Sequence, residues 1–183
     1  MPRYFVAIPL PDEARDRLIA VQPPAVPGMR ILPREEFHLT VHFLGGVALD
    51  AVRSALATVR TAPFTVAMKG VGQFPSERHA KVLWAGVEPN AELLKLHHSI
   101  ATLLADAIGF RSEERPYSPH ITLARLNEPA PTGFIEQYLD QHRGFGVPSV
   151  PIDRFILYSS SFAENLPKYQ EEAVFRLEPS TSR

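Results

Sequence analysis

Two short runs of the sequence carry residue types that could move protons and hold an oxyanion. His38-Leu39-Thr40-Val41 lies in the first half and His120-Ile121-Thr122-Leu123 in the second, each a His-x-Thr-x with apolar x residues. Both sit in stretches that read as strand, where alternation sends His and Thr to one face and the x residues to the other. The Cα atoms of such a His–Thr pair are about 6.6 Å apart, close enough for both side chains to meet one phosphate-sized group. An ordinary histidine pKa of about 6.5 allows either proton role near neutral pH. Two imidazoles with two hydroxyls therefore suggest an acid–base pair working on an oxyanion. One His-x-Thr-x arises easily by chance among seven histidines. Polar faces of half-exposed strands would explain the alternation, but not threonine at +2 in both copies.

The neighbouring candidates are weaker. His38 and His42 form H-x-x-x-H, a metal-binding spacing on a helix. On a strand they are about 13 Å apart, too far for one ion held about 2 Å from each nitrogen. Strict alternation keeps His42 on the His38 face, where it could line a groove or meet solvent. The same rule sends Arg125 to the face opposite His120, so this arginine reaches a groove only through a bulge or a strand end. His97 reads as a core or boundary residue of a helix, and Arg78, Lys81, Arg111 and Arg115 read mostly as surface charge. Ser159-Ser160-Ser161 lacks the setting of a hydrolase nucleophile, and phosphate-loop and dinucleotide fingerprints are both missing.

The elements that must carry these residues are short. Strands are expected over Arg3–Pro9, Met29–Leu32, Phe37–Leu44, Phe64–Val71, Lys81–Val87, Tyr117–Arg125, Val150–Tyr158 and Glu172–Leu177. Helical spacing covers Asp12–Val21 and a segment through Val52, Ala55, Leu56 and Val59. A long helix is capped by Asn90, ends at Gly109 and carries Leu93, His97, Ile100, Leu104 and Ala107 on one stripe. A last helix is capped by Thr132 and uses Phe134, Ile135, Tyr138 and Leu139. Strand runs between amphipathic helices, without a strict βαβ rhythm, favour an α+β build with mainly antiparallel sheets. A motif strand, a helix and further strands occur in each half, so the two motifs could face each other across a groove.

Composition narrows the function classes. A chain of 183 residues suits one domain, expected over 1–178 with a frayed tail at 179–183, and can bury a sizeable core. Its 18 prolines, about twice the usual share, fall mostly between periodic segments. The absence of cysteine removes disulfides, thiolate nucleophiles and cysteine-ligated zinc. A net charge of −1 argues against coating long nucleic acid, while leaving a small anion or an RNA end. No signal peptide or apolar run of about 20 residues is visible, so a soluble, cytoplasmic protein is expected, with a monomer as the default.

Taken together, the motifs resemble the two-histidine (2H) phosphoesterase superfamily, and more narrowly the RNA 2′,3′-cyclic phosphodiesterases historically called 2′-5′ RNA ligases. The resemblance rests on Arg3–Ile8, Phe37–Gly45, Val82–Val87 and Tyr117–Arg125 and spans nearly the whole chain. It departs at His42, where family members often carry lysine. It implies two pseudo-symmetric lobes, each an antiparallel sheet with helices on its outer face, around a central cleft. It further implies metal-independent, cofactor-free hydrolysis of an RNA or nucleotide 2′,3′-cyclic phosphate to a 2′-phosphomonoester. By analogy His38 is the proton donor, His120 the proton acceptor, and Thr40 and Thr122 hold the phosphate, with Arg125, His42 and Phe5 as candidate substrate contacts. The alternatives are reversible 2′-5′ ligation of tRNA halves and a non-catalytic nucleotide-binding module.

Overall fold

A computed structural model describes residues 2–75, 79–163 and 166–179, which leaves Arg78 and nearly all of the expected frayed tail outside the described residues. Among the described residues nine strands run as β1 (Arg3–Pro9), β2 (Met29–Ile31), β3 (His38–Gly45), β4 (Phe64–Phe74), β5 (Val82–Glu88), β6 (His120–Leu126), β7 (Gly146–Ile152), β8 (Arg154–Ala163) and β9 (Leu166–Arg176). Among the described residues four α-helices intervene, α1 (Asp12–Ile19), α2 (Leu49–Leu56), α3 (Ala91–Ile108) and α4 (Phe134–Gln141), with a single 3-10 turn at Arg34–Glu36. The strands make a four-stranded sheet in the order β3-β1-β8-β9 and a five-stranded sheet in the order β2-β6-β5-β4-β7. Every pairing is antiparallel.

The α+β, two-sheet architecture agrees with the expectation, but the two sheets are not the two halves of the sequence. β1 and β3 share a sheet with β8 and β9 from the other end of the sequence, joined through the β1–β8 pairing, while the strands between, apart from β3, build the other sheet. The expected strand Val150–Tyr158 is two strands in different sheets, with the chain turning at Asp153. Asp153 and Arg154, two polar residues in succession, break the apolar alternation at that corner, a short signal that the uninterrupted strand expectation passed over.

One hydrophobic cluster joins both sheets to α1, α2 and α3; Val6, Ile8, Leu39 and Val41 meet Leu18, Leu56, Leu93 and Leu104 in it. A smaller cluster of Leu83, Ala124, Leu126 and Tyr138 seats α4. α3 begins as expected, with the Leu93 amide donating to Asn90 Oδ1 at 2.9 Å, and ends at Gly109 with φ of 66°. That left-handed turn favours glycine because it has no Cβ to clash. Its buried stripe is Leu93, Leu96, Ile100 and Leu104, so His97 sits at the flank. α4 differs at its start: Gly133, not Thr132, holds the cap position and gives no side-chain hydrogen bond. No helix among the described residues is long and apolar enough to cross a membrane.

Candidate active site

The two motif strands bring the candidate residues into one cleft. β3 is the edge of its sheet, β6 lies between β2 and β5, and the two approach each other where the sheets meet. His38, Thr40, His120, Thr122 and Arg125 all line one cavity of about 500 Å³.

Both strands carry a bulge at the same motif position. Ala7 pairs with Thr40 and Val6 with His42, leaving Val41 as an extra residue on β3. Trp84 pairs with Thr122 and Leu83 with Ala124, leaving Leu123 as the extra residue on β6. An extra residue shifts every later side chain to the other face. Arg125 is therefore turned into the cavity, by the kind of irregularity its sequence position required. His42, expected on the His38 face, is turned away and buried at 5% exposure. The position after it, Phe43, takes the cleft side instead and stays 63% exposed.

The histidines are held in matching ways. His38 Nδ1 lies 2.7 Å from the Glu36 carbonyl oxygen and His120 Nδ1 lies 2.8 Å from that of Ser118. A carbonyl only accepts, so in each ring Nδ1 carries the proton and Nε2 is left for chemistry. Burial pushes the His38 pKa down to about 4 against the help of its carbonyl partner, and the positive field of Arg125 adds to the drop. His120 is lowered for the same reasons, burial first and Arg125 next among the depressing causes. Both rings thus rest neutral at neutral pH, with Nε2 a free lone pair.

Aromatic side chains fix the ring orientations. Phe5 stacks on Tyr158 with centroids 5.2 Å apart and lies 5.2 Å from His38; at 4% exposure it supports the imidazole from beneath more than it meets a ligand. Tyr169 stands edge-on to His38 at 5.6 Å. On the other strand Phe74 is edge-on to His120 at 4.9 Å, backed by Trp84 at 5.1 Å from Phe74. Trp84 can lie flat on the sheet because Gly72 and Gly86 flank it: a Cβ on Gly72 would collide with its ring. Tyr158, Tyr169 and Phe74 had no motif to announce them, and alternation along β8, β9 and β4 was the only available signal. The carbonyls of Glu36 and Ser118 had none, since every residue has one.

Arg125 carries no ion pair among the described residues. Its cross-strand neighbour Arg30 is neutralised by Glu36, whose two carboxylate oxygens accept at 2.6 and 2.7 Å. Among the described residues the cavity therefore offers two guanidiniums without an ion pair, Arg125 beside the motif and Arg3 farther along its wall, with two imidazole Nε2 atoms and two threonine hydroxyls, to a small anion. Among the described residues no three metal-ligating side chains converge.

A family model described as the 2′-5′ RNA ligase superfamily matches residues 10–161. The RNA 2′,3′-cyclic phosphodiesterase of Escherichia coli strain K12 is 32% identical over 178 residues, covering 91% of this chain and 92% of that protein. The one from Geobacillus stearothermophilus is 30% identical over 185 residues and 95% of this chain, which spans only 57% of that relative. Among solved structures, a Thermus thermophilus protein superposes with a TM-score of 0.81 at 28% identity, covering 97% of this chain and 98% of its own. Escherichia coli LigT complexed with 3′-AMP superposes with a TM-score of 0.74 at 27% identity, covering 97% and 99%.

Proposed function

The chain belongs to the 2′-5′ RNA ligase superfamily, and from that premise we propose that it hydrolyses RNA or nucleotide 2′,3′-cyclic phosphates to 2′-phosphomonoesters without a metal. The observation that carries this reading is the matched pair of imidazoles, each with Nδ1 tied to a carbonyl and Nε2 free, in one cavity with an unpaired Arg125. It is supported by the relatives in Escherichia coli and Geobacillus stearothermophilus that bear the name RNA 2′,3′-cyclic phosphodiesterase.

In the proposed reaction the cyclic phosphate sits between the two rings. Arg125 pairs with a non-bridging oxygen, and the Thr40 and Thr122 hydroxyls donate to the oxygens that gain charge in the phosphorane. His120 Nε2 takes a proton from water as its oxygen bonds to phosphorus. The P–O3′ bond breaks, and His38 Nε2–H gives its proton to the departing oxygen. The rings end with their protonation states exchanged, and solvent resets them. Because both rings rest neutral, the donor proton enters with the substrate: a phosphate anion in a poorly solvated cavity raises the affinity of His38 for it.

The test is incubation with 2′,3′-cyclic AMP in the presence of chelator. A 2′-phosphomonoester should form, and His38→Ala and His120→Ala should each abolish turnover while the nucleotide still binds. Full activity in either variant, or binding without product in the parent protein, overturns the reading.

A further inference from the structure

Opening a cyclic phosphate leaves a second cavity of about 550 Å³ without a role. It shares Thr40, Phe43, Phe74, Val82 and His120 with the first, so these residues form a neck between the two. Beyond the neck stand three cations, Lys81, Arg111 and Arg115, with a single carboxylate, Glu113. None of the three cations forms an ion pair among the described residues, whereas Arg30, Arg34, Arg53, Lys69, Arg143 and Arg154 all do.

The two arginines belong to the loop joining α3 to β6, and that loop is held at both ends. Phe110 meets the His42 ring edge-on at 5.3 Å. Tyr117 stacks on His97 at 4.1 Å and donates its hydroxyl to the Thr40 carbonyl at 2.8 Å. His42 and His97 stack on each other at 4.1 Å, so the bulge that removes His42 from the first cavity makes it an anchor for this loop. The two arginines are thus presented on a tethered segment beside the first cavity, and Lys81, just ahead of β5, joins them on the same cavity wall.

We propose that the second cavity receives the RNA chain immediately 5′ of the cyclic end, its phosphodiesters meeting Lys81, Arg111 and Arg115. This rests on the cyclic phosphodiesterase reading of the first cavity. A nucleotide whose cyclic phosphate lies between His38 and His120 continues through its 5′ oxygen into the next phosphate. The neck is lined by Phe43 and Phe74, whose rings suit base stacking without regard to sequence. The preferred substrate class is accordingly an oligonucleotide end, with mononucleotides using the first cavity alone.

The experiment compares kcat/KM for 2′,3′-cyclic AMP with that for the dinucleotide ApA ending in a 2′,3′-cyclic phosphate. The parent protein, an Arg111→Ala/Arg115→Ala variant and a separate Lys81→Gln variant are assayed across a salt series. The parent should prefer the dinucleotide by about tenfold at low salt, with a steeper salt dependence, as phosphate contacts require. The double variant should lose most of that preference and that slope, and Lys81→Gln part of them, while hydrolysis of cyclic AMP is unchanged. Equal use of both substrates by the parent, or equal losses on both in either variant, overturns the second cavity's role. If the parent hydrolyses neither, the first cavity's reading falls and this one falls with it.

Discussion

A histidine whose Nδ1 proton is committed to a main-chain carbonyl can work only through Nε2, and both motif histidines are in that state. The consequence is measurable. In the free protein both rings titrate below the ordinary 6.5, His38 at about 4. Since kcat/KM reports the free enzyme and kcat the complex, the kcat/KM profile should centre below pH 6.5. The kcat profile should lie at higher pH, because bound phosphate raises both rings; superimposable profiles would contradict proton uptake with substrate. The threonines answer to a different test. Thr122→Val keeps the shape and removes the hydroxyl, so kcat should fall by about 10²–10³ if it acts as one oxyanion donor, with little change in KM. A rise in KM alone would make Thr122 a ground-state contact only.

The bulges decide at the scale of the strand what the residues can do. His38, Thr40, His120 and Thr122 were legible from the sequence because they precede the irregularity, where period-2 alternation still holds. Arg125 and His42 follow it, and alternation sends both to the wrong side. No residue type in Val41-His42 or Leu123-Ala124 announces a bulge, because the extra residue is apolar and buried like its neighbours. The long helix was readable for the opposite reason, since Asn90 and Gly109 are the residues its two ends demand. Two substitutions separate support of the site from stability. Asn90→Ala should cost about 1 kcal/mol of stability through the lost cap and leave kcat/KM unchanged. Gly72→Ala must displace Trp84, which backs Phe74 and through it His120. It should cost about 1–3 kcal/mol by overpacking and lower kcat as well, seen by pairing denaturant melts with assays. A Gly72→Ala enzyme with full activity would remove Trp84 from the support of His120.

For the molecule as a whole, the same desolvated imidazoles set the acid limit of the fold. His38 and His97 titrate at about 4 in the folded protein, and His42 and His120 are lowered in the same direction. An unfolded chain binds those protons from 6.5 downward, so stability is full above that value and is lost as pH falls toward 4. Thermal scans should show Tm falling across this window, and His97→Gln should flatten the fall; a constant Tm would mean these rings are well solvated. The overall α+β build followed from element types, but the interleaving of the two sheets did not. Pairing between β1 and β8 links residues too far apart for local pattern to register.

That pairing also fixes the order in which the molecule can be completed during synthesis. β1 is an apolar strand at the interior of its sheet, and its second edge stays open until β8 leaves the ribosome. An open apolar edge invites pairing with other chains, and long-range pairing of this kind is slow. The nascent chain thus holds an unfinished sheet until Arg154–Ala163 has been made, an interval in which chaperones would have an open edge to protect. Tyr158 and Tyr169, which steady the Phe5–His38 end of the cleft, arrive with β8 and β9, so a histidine set on β3 gets its aromatic support only after more than a hundred further residues have been made.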